Sequence, residues 1–235
     1  IAGLFIKDGV LAHLKDRDGT DNPLKVSGGG KPYPVFMLVN GGSASASELF
    51  AGALEDYGVA KLIGTQTYGK GVVQSIVPMQ SGGVMKVTVQ EYFTPKGRTV
   101  DKTGLKPGKE VVGSVEQLIA AFREAGGGSV TVQIGNGSAV VNGVRVARVN
   151  SAVLQGGRWY VNLRIAAAIA GAEVGYDAKT RSITLSRGDR TFKLARGDSR
   201  LLFKDGWNMI DLSAMQQWFP ELTAETANGH LKLKA

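Results

Sequence analysis

Ser43, Ser45 and Ser47 crowd the start of an apolar helical pattern in NGGSASASELFAGALEDYG, residues 40–58. A serine hydroxyl does chemistry only when one group takes its proton and another holds the negative charge that its attack creates. Ser45-Ala46-Ser47-Glu48 is an S-x-x-E capping box, in which the serine satisfies a free helix amide and contributes about 1 kcal/mol. The same position puts the hydroxyl beside unpaired amides at the positive end of the helix dipole, where an oxyanion would be held. Gly42, Ala44 and Ala46 are small enough for a peptide backbone to approach. On the helix alone, a cap and a nucleophile both stay open.

The nucleophile needs a base. His13 and His230 are the only imidazoles; they lie far apart in sequence and read as surface residues, so a Ser-His-Asp triad is a poor fit. Lys70, between two glycines in TYGKGVVQ (67–74), is a candidate. As a base it must be neutral, which requires burial or neighbouring cations; otherwise it is a solvated turn lysine. Gly64 to Lys70 satisfies G-x-x-x-x-G-K, but Gly71 replaces the required Ser/Thr and a strand follows instead of a helix, so no phosphate-binding loop is expected.

The chain around these residues has 235 positions, 43% hydrophobic and 20% charged, enough for one large domain or two smaller ones. No apolar run approaches the roughly 18 residues of a membrane span. Cysteine is absent, which excludes disulfides and thiolate metal sites and suits an oxidising compartment. No ligand set for a metal and no cofactor motif is found. Residues 1–125 hold 14 Lys+Arg against 12 Asp+Glu, and residues 126–235 hold 14 against 8. The second half therefore carries most of the net +8, either as a solvated face or as an attraction for an anionic polymer or surface. Neither a zinc-finger spacing nor an aromatic-basic nucleic-acid motif is present.

Strand and helix patterns alternate through the first half. IAGLFIKDG reads as the end of an amphipathic helix, and the chain, opening on Ile1, is expected to be a piece of a longer precursor. Residues 9–15 and 23–26 flank a turn-rich DRDGTDN. VFMLVN (35–40) predicts a strand buried on both faces, followed by a helix over 45–57 and strands at 60–68, 72–78 and 84–95. This order predicts an α/β core around a mixed sheet in residues 1–112. SVEQLIAAFREAGGG predicts a terminal helix and glycine-rich linker at 113–128, capped by Ser114 with Gln117.

Residues 129–235 predict a small α+β module with an internal repeat. GRWYVNLRIAAAIAGAEVGYDAKTRSITL begins at Gly157, and GWNMIDLSAMQQWFPELTAETANGHLKL begins at Gly206, 49 residues later. Val161 and Leu163 correspond to Ile210 and Leu212, and Asn-Gly pairs in 129–147 predict hairpins.

The 40–58 stretch with GTQTYGKGVVQ resembles the C-terminal processing peptidases, tail-specific serine endopeptidases with a Ser-Lys dyad. That family shows N-x-x-S-A-S-A-S-E and then G-K-G-x-x-Q, with nucleophile and lysine 25 positions apart; here the middle serine is Ser45 and Lys70 lies 25 further on. VTVQEYFTPKGRTVDKTGLKPG resembles the family's next segment, so the likeness covers roughly residues 1–112. It implies that Ser45 attacks the scissile carbonyl, Lys70 takes and returns the proton, Gln74 holds Lys70, and the Ala46 amide donates to the oxyanion. It also implies polypeptide substrates with flexible C-terminal tails. A second oxyanion glycine and a PDZ domain would stand in a missing segment before Ile1, making the chain by itself inactive or weak.

VVNGVRV, GGRWYVNLRIAAAIAGAEVGYD and SITL resemble the copper amine oxidase N-terminal-like, or stalk, domain of bacterial envelope proteins. Despite that name the resemblance implies no copper; it implies attachment, with an anionic cell-wall polymer as partner, and an extracytoplasmic, bacterial location. Monomer and oligomer stay open. A non-catalytic envelope-binding fragment is the main alternative, and an intracellular esterase a weaker one.

Overall fold

The computed structural model describes every residue except 136, 148 and 228. The chain divides into two compact units, Ile1–Val112 and Gly113–Ala235. It is mixed and strand-rich, and no helix among the described residues is long and apolar enough to cross a membrane.

In the first unit a 3-10 turn at Ala2–Leu4 stands where the end of a longer helix was expected. It leads into β1 (Asp8–Asp16) and β2 (Asp21–Ser27), an antiparallel hairpin around the DRDGT turn. Next come β3 (Val35–Val39), helix α1 (Ala46–Asp56) and β4 (Ala60–Gly64), with β3 and β4 parallel, as a helical crossover allows. β5 (Val72–Pro78) and β6 (Val84–Phe93) form the second hairpin, and β7 (Lys109–Glu110) adds a parallel strand to β4.

These strands make two sheets, not the single mixed sheet expected. One is antiparallel, in the order β2-β1-β6-β5; the other is parallel, β3-β4-β7. β3 is an edge strand and only its last residue is buried, so VFMLVN is not the doubly covered central strand its composition suggested. The strand expected over 60–68 stops at Gly64.

Helix α1 is buried almost all round because apolar clusters meet it on two sides. Ala51 packs with Val39, Leu62, Tyr92, Val100 and Leu105, while Ala53 and Leu54 pack with Ile6 and Ala60. Gly52 permits the approach of Thr94: a methyl in its place would lie 2.8 Å from Thr94 Cγ2.

The second unit opens with α2 (Ser114–Glu124). Gly113, not Ser114, is its N-cap, so the expected Ser114–Gln117 box does not form. Val115 and Ile119 of this helix enter the unit's apolar core. β8 (Thr131–Gly135), β9 (Ser138–Val141) and β10 (Val144–Ala147) follow; the Asn142-Gly143 pair turns β9 into β10, whereas the expected Asn136-Gly137 turn involves residue 136, outside the described residues.

A hairpin, helix and hairpin then run as β11 (Ala152–Gln155), β12 (Arg158–Asn162), α3 (Leu163–Ala170), β13 (Glu173–Asp177) and β14 (Ser182–Arg187). After β15 (Arg190–Leu194) come β16 (Leu201–Lys204), β17 (Trp207–Asp211), α4 (Leu212–Trp218), β18 (Thr223–Ala227) and β19 (His230–Lys234). The sheets are β10-β9-β8-β19-β18, β11-β12-β17-β16 and β13-β14-β15. Asn162 caps α3 by accepting the Arg164 amide at 3.1 Å, and Asp211 caps α4 by accepting the Ser213 amide at 2.8 Å.

Candidate active site

Ser45 precedes α1 in a backbone conformation that side chains avoid: φ 55°, ψ −116°. These angles are close to the first central position of a type II′ turn, a place glycine normally takes. The Ser47 amide donates to the Ala44 carbonyl at 3.2 Å and closes that turn. A non-glycine residue held there costs about 1–3 kcal/mol, and persists only where the surroundings over-determine it. Here the Ser45 amide donates to Glu48 Oε2 at 2.9 Å, and the Ser45 carbonyl accepts from the Leu49 amide at 2.9 Å and the Tyr92 hydroxyl at 3.0 Å. Both peptide groups of Ser45 are tied, and its side chain and that of Glu48 form the expected capping box. Ala46, the first residue of α1, is exposed and carries one of the amides a helix cannot pair internally.

The other two serines have plainer roles. Ser43 Oγ accepts the Asn40 amide at 3.2 Å, and the Ser43 carbonyl accepts the Tyr68 amide at 3.0 Å. Ser47 is exposed on the first turn of α1.

Glu48 joins the serine to the lysine. Its carboxylate is fully buried and collects four donors. Oε2 accepts the amides of Ser45 and Lys70, both at 2.9 Å. Oε1 accepts the Gly69 amide at 2.7 Å and the Thr67 hydroxyl at 2.5 Å. The amide nitrogens of Ser45 and Lys70 are therefore only two hydrogen-bond lengths apart, through one oxygen. From the other side, the Tyr92 hydroxyl lies 3.0 Å from the Ser45 carbonyl and 2.9 Å from the Lys70 carbonyl. Burial holds the Tyr92 phenol far above its ordinary titration range, and the charges of Glu48 and Asp101 add to that. It is a permanent donor.

The glycines around Lys70 answer to a close backbone approach. A Cβ at Gly71 would lie 2.2 Å from the Asp101 amide nitrogen, and one at Gly69, which has φ 86°, would lie 2.9 Å from that of Gly104. The Lys102 amide donates to the Gly69 carbonyl at 2.8 Å, and the Gly71 amide to Asp101 Oδ1 at 3.2 Å. Gly-Lys-Gly is thus held between Glu48 and the 101–104 turn, with Lys70 half-buried.

Among the described residues no side-chain hydrogen bond joins Ser45 and Lys70. Gln74 lies exposed on β5 beside a bulge; its Nε2 donates to Thr88 Oγ1 at 3.4 Å, not to Lys70. His13 pairs with Asp21 at 2.7 Å on the β1–β2 hairpin, and His230 belongs to the second unit. Sequence reading took Glu48 only as half of a capping box and missed Thr67 and Tyr92. The S-x-x-E spacing was a signal for Glu48; nothing in VQEYF marks Tyr92, whose role arises only when the fold brings its hydroxyl to the Ser45 and Lys70 carbonyls.

Residues 1–111 match peptidase family S41, and residues 114–185 and 140–206 match the copper amine oxidase N-terminal domain. Among relatives, carboxyl-terminal-processing peptidase 3, chloroplastic, of Arabidopsis thaliana is 39% identical over 126 residues, covering 52% of this chain and 24% of that protein. The carboxy-terminal-processing protease of Bartonella bacilliformis is 49% identical over 74 residues, covering 32% of this chain and 17% of that one. A solved structure, the photosystem II D1 C-terminal processing protease, is 34% identical with a TM-score of 0.45, over 48% of this chain and 30% of that one. The chain spans about a quarter or less of the length of the two curated relatives.

Proposed function

We propose that residues 1–111, which match the serine peptidase family S41, hold the Ser-Lys centre of an endopeptidase that cleaves polypeptides near unstructured C-terminal tails. The observation that carries this reading is the strained Ser45, whose amide shares one buried carboxylate oxygen with that of Lys70. Ser45 Oγ attacks the scissile carbonyl while Lys70 Nζ takes the hydroxyl proton. The tetrahedral oxyanion sits at the Ala46 amide, and Lys70 then gives its proton to the leaving amine. In the assembled site Gln74 turns from Thr88 to hold Lys70; its present bond, at 3.4 Å, is long and easily exchanged.

The chain spans a small part of its relatives, and in this proposal a preceding segment supplies the second oxyanion donor and the tail-binding domain. Losing one such donor typically costs about 10²–10³ in turnover, so the chain alone cleaves slowly. The location is the bacterial cell envelope, outside the cytoplasm, in keeping with the lack of cysteine. The two overlapping domain matches support a near-duplicated attachment module in the second unit.

A small activated phosphonate, which needs only nucleophile and base, tests the centre without a tail-binding domain. Labelling at Ser45 is expected, abolished in Ser45→Ala and reduced at least about 10²-fold in Lys70→Met. Labelling unchanged by Lys70→Met would remove the dyad. The absence of any Ser45 labelling would favour the alternative, a non-catalytic envelope-binding fragment with the first unit as scaffold; the lack of a Ser45–Lys70 side-chain bond is the observation in its favour.

A further inference from the structure

In the second unit a trough runs between the β13-β14-β15 sheet and the β16–β17 hairpin, as two neighbouring cavities of about 640 Å³ and 400 Å³. They share Tyr176, Ile183 and Asn208, so the trough is continuous. Three aromatic rings line it and face solvent: Phe203 is 71% exposed, Tyr176 65% and Trp207 45%. Three arginines line it too: Arg181 on the β13–β14 turn, Arg196 after β15 and Arg164 on α3. No carboxylate among the described residues lines either cavity. Arg187 pairs with Glu221 and Arg200 with Asp198, whereas the guanidiniums of Arg181 and Arg196 are exposed and have no protein partner among the described residues.

We propose that this trough binds an anionic polysaccharide, a glycan bearing carboxylate or phosphate groups on its sugars. Exposed rings offer flat faces on which the C–H faces of sugars stack, and unpaired guanidiniums donate forked hydrogen bonds to acid groups. Rings and arginines recur along one groove, which fits a polymer whose every unit carries both an apolar face and a charge. An acidic peptide carries its charge on side chains without such a face. A single small anion would leave the rings unused. The basic excess of residues 126–235, 14 Lys+Arg against 8 Asp+Glu, draws such a polymer in and makes the binding salt-dependent. The inference stands apart from the peptidase reading, because every residue it uses lies in Gly113–Ala235.

The full chain is titrated at low salt with oligogalacturonate as the carboxylate form, phosphomannan as the phosphate form, dextran as the neutral glycan and polyglutamate as the charged non-glycan, following tryptophan fluorescence, to which Trp207 contributes. One of the two anionic glycans is expected to bind, with dextran and polyglutamate at least about tenfold weaker. Arg181→Ala and Arg196→Ala are each expected to weaken that binding about tenfold. Phe203→Ala weakens it likewise and Phe203→Tyr restores it; Ser45→Ala changes nothing. All these side chains are exposed or lie at turns, and unaltered circular dichroism shows that the variants fold. Failure of both anionic glycans to bind, equal binding of polyglutamate or dextran, or binding indifferent to the arginine and Phe203 changes would overturn the proposal.

Discussion

At Ser45 the backbone and the side chain make opposite demands. The turn at φ 55° and ψ −116° suits glycine, yet only a hydroxyl serves as nucleophile. Ser45→Gly is therefore expected to be more stable to urea than Ser45→Ala by about 1 kcal/mol, since glycine relieves the strain and alanine keeps it. An equal or lower midpoint for the glycine variant would show that the turn is unstrained. Glu48 should be less replaceable than its place in a capping box suggests. In Glu48→Gln the amide group keeps one acceptor oxygen and turns two donors toward the Ser45 and Lys70 amides or toward Gly69 and Thr67. A loss of about 2 kcal/mol in urea unfolding is expected, with loss of Ser45 labelling. That loss distinguishes a site-building carboxylate from a helix cap whose removal costs about 1 kcal/mol.

Helix α1 is pinned at both ends, which is how an element transmits order to one residue. Glu48 anchors its first turn; at the other end Arg98 reaches Glu55 at 2.9 Å and the buried Asp56 at 2.6 Å, while the Lys96 amide donates to Asp56 at 2.8 Å. Arg98→Ala leaves the buried Asp56 without its cation, and a loss of about 2 kcal/mol is expected. Helix α2 carries the opposite kind of carboxylate. Burial pushes the Glu116 carboxyl above its ordinary 4.5, against a lowering by its own amide and by Arg164. A raised folded value means that stability is full below about pH 4.5 and falls as pH rises through the folded value. Glu116→Gln should thus stabilise the chain at pH 7 and give no gain at pH 4, as urea midpoints at the two pH values would show. Both helices were legible from their apolar periodicity. Their caps were less so: Ser114 read as a cap because its type fits, but the turn at Gly113 has φ 96° and glycine takes the position. β3 read as a central strand because an apolar run does not say how many neighbours a strand has.

For the whole molecule, the apolar clusters fall wholly within one unit or the other. The second unit closes on itself when β19, at the C-terminal end, pairs with β8. Residues 113–235 expressed alone are expected to unfold in a single cooperative transition; a non-cooperative or unfolded product would show that the core needs the first unit. The same segment should weaken in acid. The Arg200 side chain, by its hydrogen bonds, holds the Asp198 carboxyl down at about 2, so the stability it contributes is present above pH 3.8 and is lost as pH falls through about 2. Asp198→Asn is expected to flatten that acid limb. What the sequence by itself determined was local or motif-borne: where α1 starts, the Ser45–Lys70 spacing, the near-neutral first half and basic second half, and both family likenesses. Spacing and residue type express these directly. The tertiary structure alone decided that the sheets of the first unit are separate, that α2 packs into the core of the second unit, that Glu48 and Tyr92 bridge the serine and lysine segments, and that rings and arginines from separate strands and turns line one trough. Each depends on contacts between residues distant in sequence, and neither periodicity nor composition records which distant residues meet.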